Sequence, residues 1–392
     1  MNLPDARIGR LVAAHTFPEP IYVTRPSLPP LAEYARALEP AWERRWLTNE
    51  GCLHQRLERA LCAYLGVEHL SLFCNATIAL MAALELYGLR EGEVVTTPFT
   101  FPATTHVLRW QRLDIVFADI DADTCNLDPS RVEERLTPRT RAIMPVHVYG
   151  TPCDVERFDA LAAKYHVRVI YDAAHAFGVR LNGQSALRHG DASVLSFHAT
   201  KLFTTGEGGA LAVPDAERHR QAYLIKNFGI AGEESVEGPG INGKMSELQA
   251  ALGLVQLEQA DEEIARRRVL SQCYRRMLAD IPGVCLFGER PGVQPNHAYF
   301  PVRINAEAYG AGRDALHDVF RRCNVHVRKY FYPLCSHFAC YAGLPSADPA
   351  GLPNAERAAR EILCLPIHGT LSVESVETIA SVVREFHEAL RK

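Results

Sequence analysis

Lys201 stands alone in the stretch SFHATKLFTTGEGG, between an apolar run and a glycine-rich turn. A lysine is ordinarily a solvated surface group. Held between a strand and a tight turn, it is desolvated, its pKa falls, and its amine becomes a nucleophile. Upstream, the apolar run Val167 to Tyr171 ends in Asp172, and only small residues separate that acid from His175. A carboxylate at the C-terminal end of a parallel strand points into the crevice where α/β folds bind ligands. The alternative is a surface Asp that caps the next helix. An amine and an acid at neighbouring strand ends suit pyridoxal phosphate. The lysine forms a Schiff base, and the acid keeps the pyridine nitrogen protonated so that the ring is an electron sink.

Such a cofactor also needs a phosphate cradle. Asn75-Ala76-Thr77 lies between an apolar run and a segment rich in Ala and Leu. Backbone N–H groups and the Thr77 hydroxyl at a helix N-terminus bind a phosphate dianion without a basic side chain. The alternative for Thr77 is an ordinary N-cap.

These groups act together only if the fold brings them to one edge. Leu57 to Leu65 has apolar residues at helical spacing. His69 to Cys74 is short and apolar, like a buried strand, and Ile78 to Leu86 returns to helix. Strand-like Val94 to Thr97 and helix-like Pro102 to Arg112 follow. Ile115 to Ala118, Ala142 to Val148, Val167 to Tyr171, Val194 to Phe197 and Ala210 to Val213 are further apolar runs. The alternation predicts an α/β fold around a mostly parallel sheet flanked by helices. Phe17 to Pro30 is too rich in proline to be one helix. Met245 to Leu278 reads as a single long amphipathic helix leaving the large domain. Beyond it, strands and helices mix, which fits a smaller α+β domain. The expected division is a large domain over 20–255 and a small one over 256–392.

Composition narrows the classes. At roughly 150 residues per domain, 392 residues suggest two or three domains. With 47% hydrophobic and 22% charged residues, the chain is not largely disordered. The net charge is −4 and no basic block stands out, so nucleic acid is not an expected partner. No apolar run approaches the roughly 20 residues of a membrane span. Met1 to Arg10 lacks an apolar signal core, which predicts a cytoplasmic protein. The 11 cysteines are scattered without C-x-x-C pairs or zinc-like spacings, so no metal is expected and the thiols read as reduced.

Two apparent motifs fail on context. Gly238 to Gly243 matches G-x-G-x-x-G, but the preceding Glu233 to Glu237 is no buried strand, so a loop is expected. Asp119, Asp121 and Asp123 imitate a calcium loop, yet Thr124 and Ser130 stand where its glycine and glutamate belong. H-E-x-x-H, G-x-S-x-G and the P-loop signature are absent.

With these residues in hand, the chain resembles the DegT/DnrJ/EryC1/StrS family of sugar aminotransferases, of the fold type I pyridoxal-phosphate enzymes. The resemblance covers about residues 20 to 390 and is carried by DAAHAFG at Asp172, SFHATKLFTTGEGG at Lys201 and GINGKMSELQAALGLVQL from Gly240. IYVTRPSLPP, WLTNEG at Trp46 and NATIALMAAL at Asn75 are most similar to the branch that aminates C4 of dTDP-4-dehydro-6-deoxyglucose. The resemblance implies Lys201 as the catalytic Schiff-base lysine and Asp172 on the pyridine nitrogen. It further implies His175 on the ring hydroxyl, Phe101 on the ring face, and Ala76, Thr77 and Ser196 on the phosphate. Asn227 would reach that phosphate from a second subunit, making a homodimer with shared sites. L-glutamate would be the amino donor and a nucleotide sugar the acceptor. Arg328, Lys329, Tyr330 and Tyr332 form a basic-aromatic run, of which Lys329 and Tyr330 are the candidate substrate contacts; a solvated edge is the alternative. The cradle commonly reads Gly-Thr, and Ala76 fits only if its backbone is helical. Lys244 replaces a usual Arg, which loses any bidentate contact. Amination at C3 instead of C4, or a non-catalytic regulator on the same fold, are the competing functions. Lys201 itself argues against the branch that carries histidine there.

Overall fold

The computed structural model describes residues 5–391; the first four residues of Met1 to Arg10, and Lys392, lie outside the described residues. Seven strands form the sheet that carries the site: β1 (His69–Phe73), β2 (Glu93–Thr96), β3 (Asp114–Phe117), β4 (Thr140–Met144), β5 (Arg168–Asp172), β6 (Ala192–Ser196) and β7 (Gly209–Val213). Their order is β1-β7-β6-β5-β4-β2-β3. All pairs are parallel except those of β7, which runs antiparallel to both β1 and β6. The expected mixed, mostly parallel sheet is what forms.

The strands alternate their burial between two apolar layers. Ala210 and Ala212 of β7 join Leu70, Leu72 and Leu195 on one face; Leu211 and Val213 join Phe73 and Val194 on the other. Covering both faces explains why these strands read as continuous apolar runs rather than as alternating ones. Helix Cys52–Leu65 covers the first face through Leu57, Leu61 and Leu65, and helix Ala76–Leu86 covers the second through Ala79, Leu80 and Ala83.

Because β7 reverses, its first residue lies at the carboxyl edge of the sheet. Gly209 pairs with Phe73 of β1 and with Ser196 of β6. Asp172 ends β5 at the same edge, pairing with Val194 of β6. The edge therefore collects the ends of β1, β5 and β6 together with the start of β7.

Met245 to Leu278 is two helices rather than one. Ser246 and Gln249 form a capping box that starts Glu247–Glu258. The chain breaks at Gln259, whose φ of −104° and ψ of −1° leave the helical range, and resumes as Ala260–Leu278. Gln259 donates to the Gln256 carbonyl and accepts from the Glu263 N–H, so it closes one helix and opens the next.

The second core gathers an antiparallel sheet, β8 (Val284–Leu286), β9 (Phe300–Ile304) and β10 (Ile362–Leu365), with helices Ala260–Leu278, Arg313–Arg322 and Val373–Arg391. Helix Asp5–His15 adds Ile8 and Leu11 to this core. Phe17 to Pro30 is extended, and its Ile21–Tyr22 pairs in parallel with Val325–His326. Gly238 to Gly243 is a loop that folds back on Ile225 and Lys226. Asp119 accepts the N–H groups of Asn354 and Ala355 at the start of helix Pro353–Glu361, and Asp121 closes a turn on Thr124. Among the described residues no helix is long and apolar enough to cross a membrane.

Candidate active site

β5 delivers Asp172 into the interior, where it is 5% exposed. Its Oδ2 accepts the Thr104 hydroxyl at 2.7 Å and its Oδ1 accepts the Ala174 N–H at 3.1 Å. Burial pushes the carboxyl above its ordinary range; the two hydrogen bonds and the nearby Lys201 charge oppose that push. The surface-cap alternative for Asp172 is thereby excluded.

Lys201 follows β6 in a loop closed by its own N–H on the His198 carbonyl and by the Thr205 N–H on the Phe197 carbonyl. The side chain is half-buried, and Nζ donates to the Tyr299 hydroxyl at 3.3 Å. Burial pulls its pKa down to about 8, against the opposing pull of Asp172. The amine is thus free in a substantial fraction near neutral pH, as a nucleophile requires.

His175 is held at both ends. Its Nδ1 accepts the Tyr149 N–H at 3.2 Å, and its carbonyl accepts from the Asn296 side chain at 2.8 Å. With Nδ1 accepting, Nε2 carries the hydrogen and is a donor. The ring lies between Tyr299, 4.6 Å away between centroids, and Phe331, parallel at 6.0 Å. Burial first, then the Lys201 charge, holds its pKa well below the ordinary value, so the imidazole is neutral.

The candidate phosphate residues Ala76, Thr77 and Ser196 lie at the sheet edge. Helix Ala76–Leu86 is capped by Asn75, whose side chain accepts the Ile78 N–H at 2.9 Å. Asn75, not Thr77, is therefore the N-cap. Ala76 is helical and does not adopt positive φ, which satisfies the condition set by its methyl group. Ser196 is 7% exposed at the end of β6. A Cβ on Gly209 would lie 2.6 Å from the Ala76 nitrogen, so only glycine lets β7 start this close to the cradle.

Phe101 precedes helix Pro102–Trp110 and is 59% exposed, so core packing does not account for it; Phe99 is the buried ring of that segment. Tyr330 is brought in: its ring lies 6.1 Å from Tyr299, and its carbonyl accepts the Tyr149 hydroxyl. Lys329 is tied down elsewhere, 2.6 Å from Asp314, which also pairs with Arg313. Asn227 ends helix Ala216–Lys226, and its hydrogen bonds stay within its own segment, including Nδ2 to the Tyr223 hydroxyl at 3.0 Å. Lys244 pairs with Phe73 through its backbone and sets its ammonium 4.8 Å from the Phe228 ring centre.

Tyr299, Tyr149, Thr104, Asn296 and Phe331 were not legible in the sequence. They lie far along the chain from the residues they touch, and no local spacing marks them. A second cluster, Glu50, His54 and Glu58, brings its ligand atoms within 4.8 Å of one another, but the buried Lys226 ammonium, 2.7 Å from Glu50, already supplies a cation there. A cavity of about 720 Å³ beside Tyr64, Gly178 and Arg268 contains none of the predicted site residues.

The comparisons with known proteins agree with this geometry. The chain is 46% identical over 367 residues to the dTDP-4-amino-4,6-dideoxy-D-glucose transaminase of Shigella dysenteriae, covering 94% of this chain and 99% of that one. It is 30% identical over 348 residues to the GDP-perosamine synthase of Escherichia coli O157:H7, covering 87% and 92%. Among solved structures, DesI in the presence of its TDP-sugar product superposes with a TM-score of 0.89 at 38% identity, covering 94% of this chain and 93% of that one. The model of the DegT/DnrJ/EryC1/StrS aminotransferases matches residues 31–384, and the protein is an aminotransferase of that family.

Proposed function

We propose that the chain transfers the amino group of L-glutamate to C4 of a nucleotide-linked 4-keto-6-deoxy sugar, with pyridoxal 5'-phosphate as cofactor. The acceptor is dTDP-4-dehydro-6-deoxy-D-glucose and the product dTDP-4-amino-4,6-dideoxy-D-glucose. The reading rests above all on the desolvated Lys201 amine beside the buried Asp172 carboxylate. The 46% identity to the Shigella transaminase supports the choice of acceptor.

The residues fit this cofactor. Asp172 is a buried carboxylate whose charge burial disfavours, and a protonated ring nitrogen would relieve that cost. His175 has one nitrogen already used and one N–H left to donate to a ring hydroxyl. Ala76, Thr77 and Ser196 present a helix N-terminus and a hydroxyl at the edge, which suits a phosphate dianion. The exposed Phe101 ring is available to cover the cofactor face. When bound, pyridoxal phosphate supplies an electron sink and a carbonyl that carries nitrogen between donor and acceptor.

Lys201 Nζ holds the cofactor at rest and, when released, moves a proton. With a pKa of about 8 it can accept a proton from the donor carbon and return it as the ammonium. Tyr299 keeps Nζ oriented through its hydroxyl. Asp172 maintains the ring nitrogen as a cation, and Thr104 keeps Asp172 in place. Asn227 serves the phosphate of the neighbouring subunit, so the working unit is a homodimer. The division into a cofactor-binding unit, 20–255, and a smaller unit, 256–392, is part of this proposal, with helix Asp5–His15 packed on the smaller one.

Incubation of the purified protein with L-glutamate and dTDP-4-dehydro-6-deoxy-D-glucose, with the product resolved by NMR, tests the reading. Nitrogen at C4 is the expected result. Nitrogen at C3, or no amination, overturns it.

A further inference from the structure

Tyr299 can orient Lys201 only if its own backbone is fixed, and it stands where two strands part. β9 and β10 pair antiparallel, ending with Phe300 opposite Leu365. Continued for two residues, the same register brings Ala298 opposite Ile367, beyond the last ladder pair. Arg267 of helix Ala260–Leu278 bridges the gap: its Nη1 donates to the Ala298 carbonyl at 3.2 Å and to the Ile367 carbonyl at 3.1 Å. From the other side, the Asn296 side chain accepts the Ala298 N–H at 3.0 Å and donates to the His175 and Phe177 carbonyls at 2.8 Å and 2.9 Å. Ala298 thus has both main-chain groups held by side chains. The peptide bond it shares with Tyr299 is the one that Arg267 holds.

Arg267 is itself fixed. It is 2% exposed, and its Nε donates at 2.6 Å to Glu263, one turn earlier in the helix. Glu263 also accepts the Gly369 N–H and the Ser27 hydroxyl, each at 2.9 Å. Burial pushes the Glu263 carboxyl up, but Arg267, Ser27 and Gly369 together hold it below its ordinary value, so the pair is charged. Taking two such charges out of water costs about as much as their attraction returns, so stability alone does not account for the pair. A guanidinium fork does what an apolar side chain of similar size cannot: it holds a carboxylate and two carbonyls at once, in fixed directions.

We infer that Arg267, held by Glu263, is a positioning residue for Lys201: by fixing the peptide between Ala298 and Tyr299 it sets the Tyr299 hydroxyl against the Lys201 amine. Arg267 acts only through Tyr299 and touches no reacting atom. The inference rests on the role of Lys201 proposed above and adds what aims the amine.

The test compares wild type, Arg267→Lys, Tyr299→Phe and the double variant. Two rates are read: capture of pyridoxal phosphate by the apoprotein, followed by absorbance, and kcat of the cofactor-loaded enzyme. Arg267→Lys keeps the charge, but one ammonium cannot span the three acceptors. Both rates should fall roughly fivefold, the loss of one hydrogen bond, while the KM for the nucleotide sugar stays within about twofold. In the Tyr299→Phe background the same change should cost less than about twofold, because the hydroxyl it positions is gone. If Arg267→Lys folds poorly, Arg267→Met combined with Glu263→Gln removes both charges, leaves neither unpaired and enters the same comparison. Rates within about twofold of wild type despite a lowered thermal midpoint, or an equal loss in both backgrounds, overturn the inference; the pair then braces the fold without aiming the amine. In either case a wild type that captures the cofactor on Lys201 and aminates the sugar leaves the proposed function standing. If the wild type captures no cofactor there, both fall.

Discussion

Tyr299 and Lys201 lie 98 positions apart in the chain, yet the Lys201 ammonium donates to the Tyr299 hydroxyl at 3.3 Å. Tyr299 comes from the segment leading into β9, whereas Lys201 belongs to the loop after β6 of the large sheet. The same phenol ring lies against His175 and Tyr330. One side chain, packed against both apolar layers of the large sheet, thus touches the amine, the imidazole and Tyr330.

Lys201 is expected to be the only lysine that captures pyridoxal phosphate. Borohydride reduction and peptide mapping should place the label on it. Its pKa of about 8, below the ordinary 10.5, means that the rate of cofactor capture by the apoprotein rises with pH, is half-maximal near pH 8 and levels off about a unit above it. A rate still climbing at pH 10 would contradict the desolvated amine. Tyr299→Phe removes one hydrogen bond, worth about 1 kcal/mol, and should slow turnover by roughly fivefold.

Asp172→Asn separates charge from shape. The amide oxygen can still accept the Ala174 N–H and the amide NH2 can donate to the Thr104 hydroxyl, which reverses that bond, but the neutral group cannot hold a cation on the ring nitrogen. Turnover should fall by at least about a hundredfold, near 2.7 kcal/mol, with the cofactor still bound. The apoprotein should respond in the opposite direction. A carboxyl with a raised folded pKa destabilises the fold at every pH above its unfolded value, and the penalty disappears below that value. At neutral pH the apo variant should therefore melt no lower than apo wild type and gain less from cofactor. A large drop in its apo melting temperature would overturn this account of Asp172.

Gly209→Ala places a methyl 2.6 Å from the Ala76 nitrogen. Overpacking of this kind costs about 1–3 kcal/mol. The thermal midpoint should fall, and cofactor affinity should drop with it, because the methyl presses on the helix end that forms the cradle. Unchanged cofactor affinity would remove Ala76 from the phosphate site.

Asn227 tests the assembly. Asn227→Ala removes a neutral donor to a dianion, a bond of roughly 1.5–3 kcal/mol, so cofactor affinity should fall by about one to two decades. Mixing Lys201→Ala chains with Asn227→Ala chains should restore activity well above either parent, since a heterodimer holds one intact site. If subunit exchange is verified and activity stays absent, the site is built within one chain.

Much of this was legible in the residues alone. Asp172 and Lys201 announce themselves because each follows an apolar run, and a strand buried on both faces is a local property of sequence. The loop at Gly238 to Gly243 follows equally from short-range chemistry, whereas the cap of helix Ala76–Leu86 falls to Asn75 and not to Thr77. The break at Gln259 did not, because the apolar spacing continues on both sides and only the dihedral angles change. Nor did the aromatic wall of Tyr149, Tyr299 and Phe331 or the Thr104 bond to Asp172. Lys329 shows the limit most clearly: its charge and position made it a candidate, and Asp314 claimed it. Local sequence determines which strand ends in which chemical group. Which groups face one another depends on strand order, on the reversal of β7 and on how the second core docks, and these are decided by packing between residues distant in the chain.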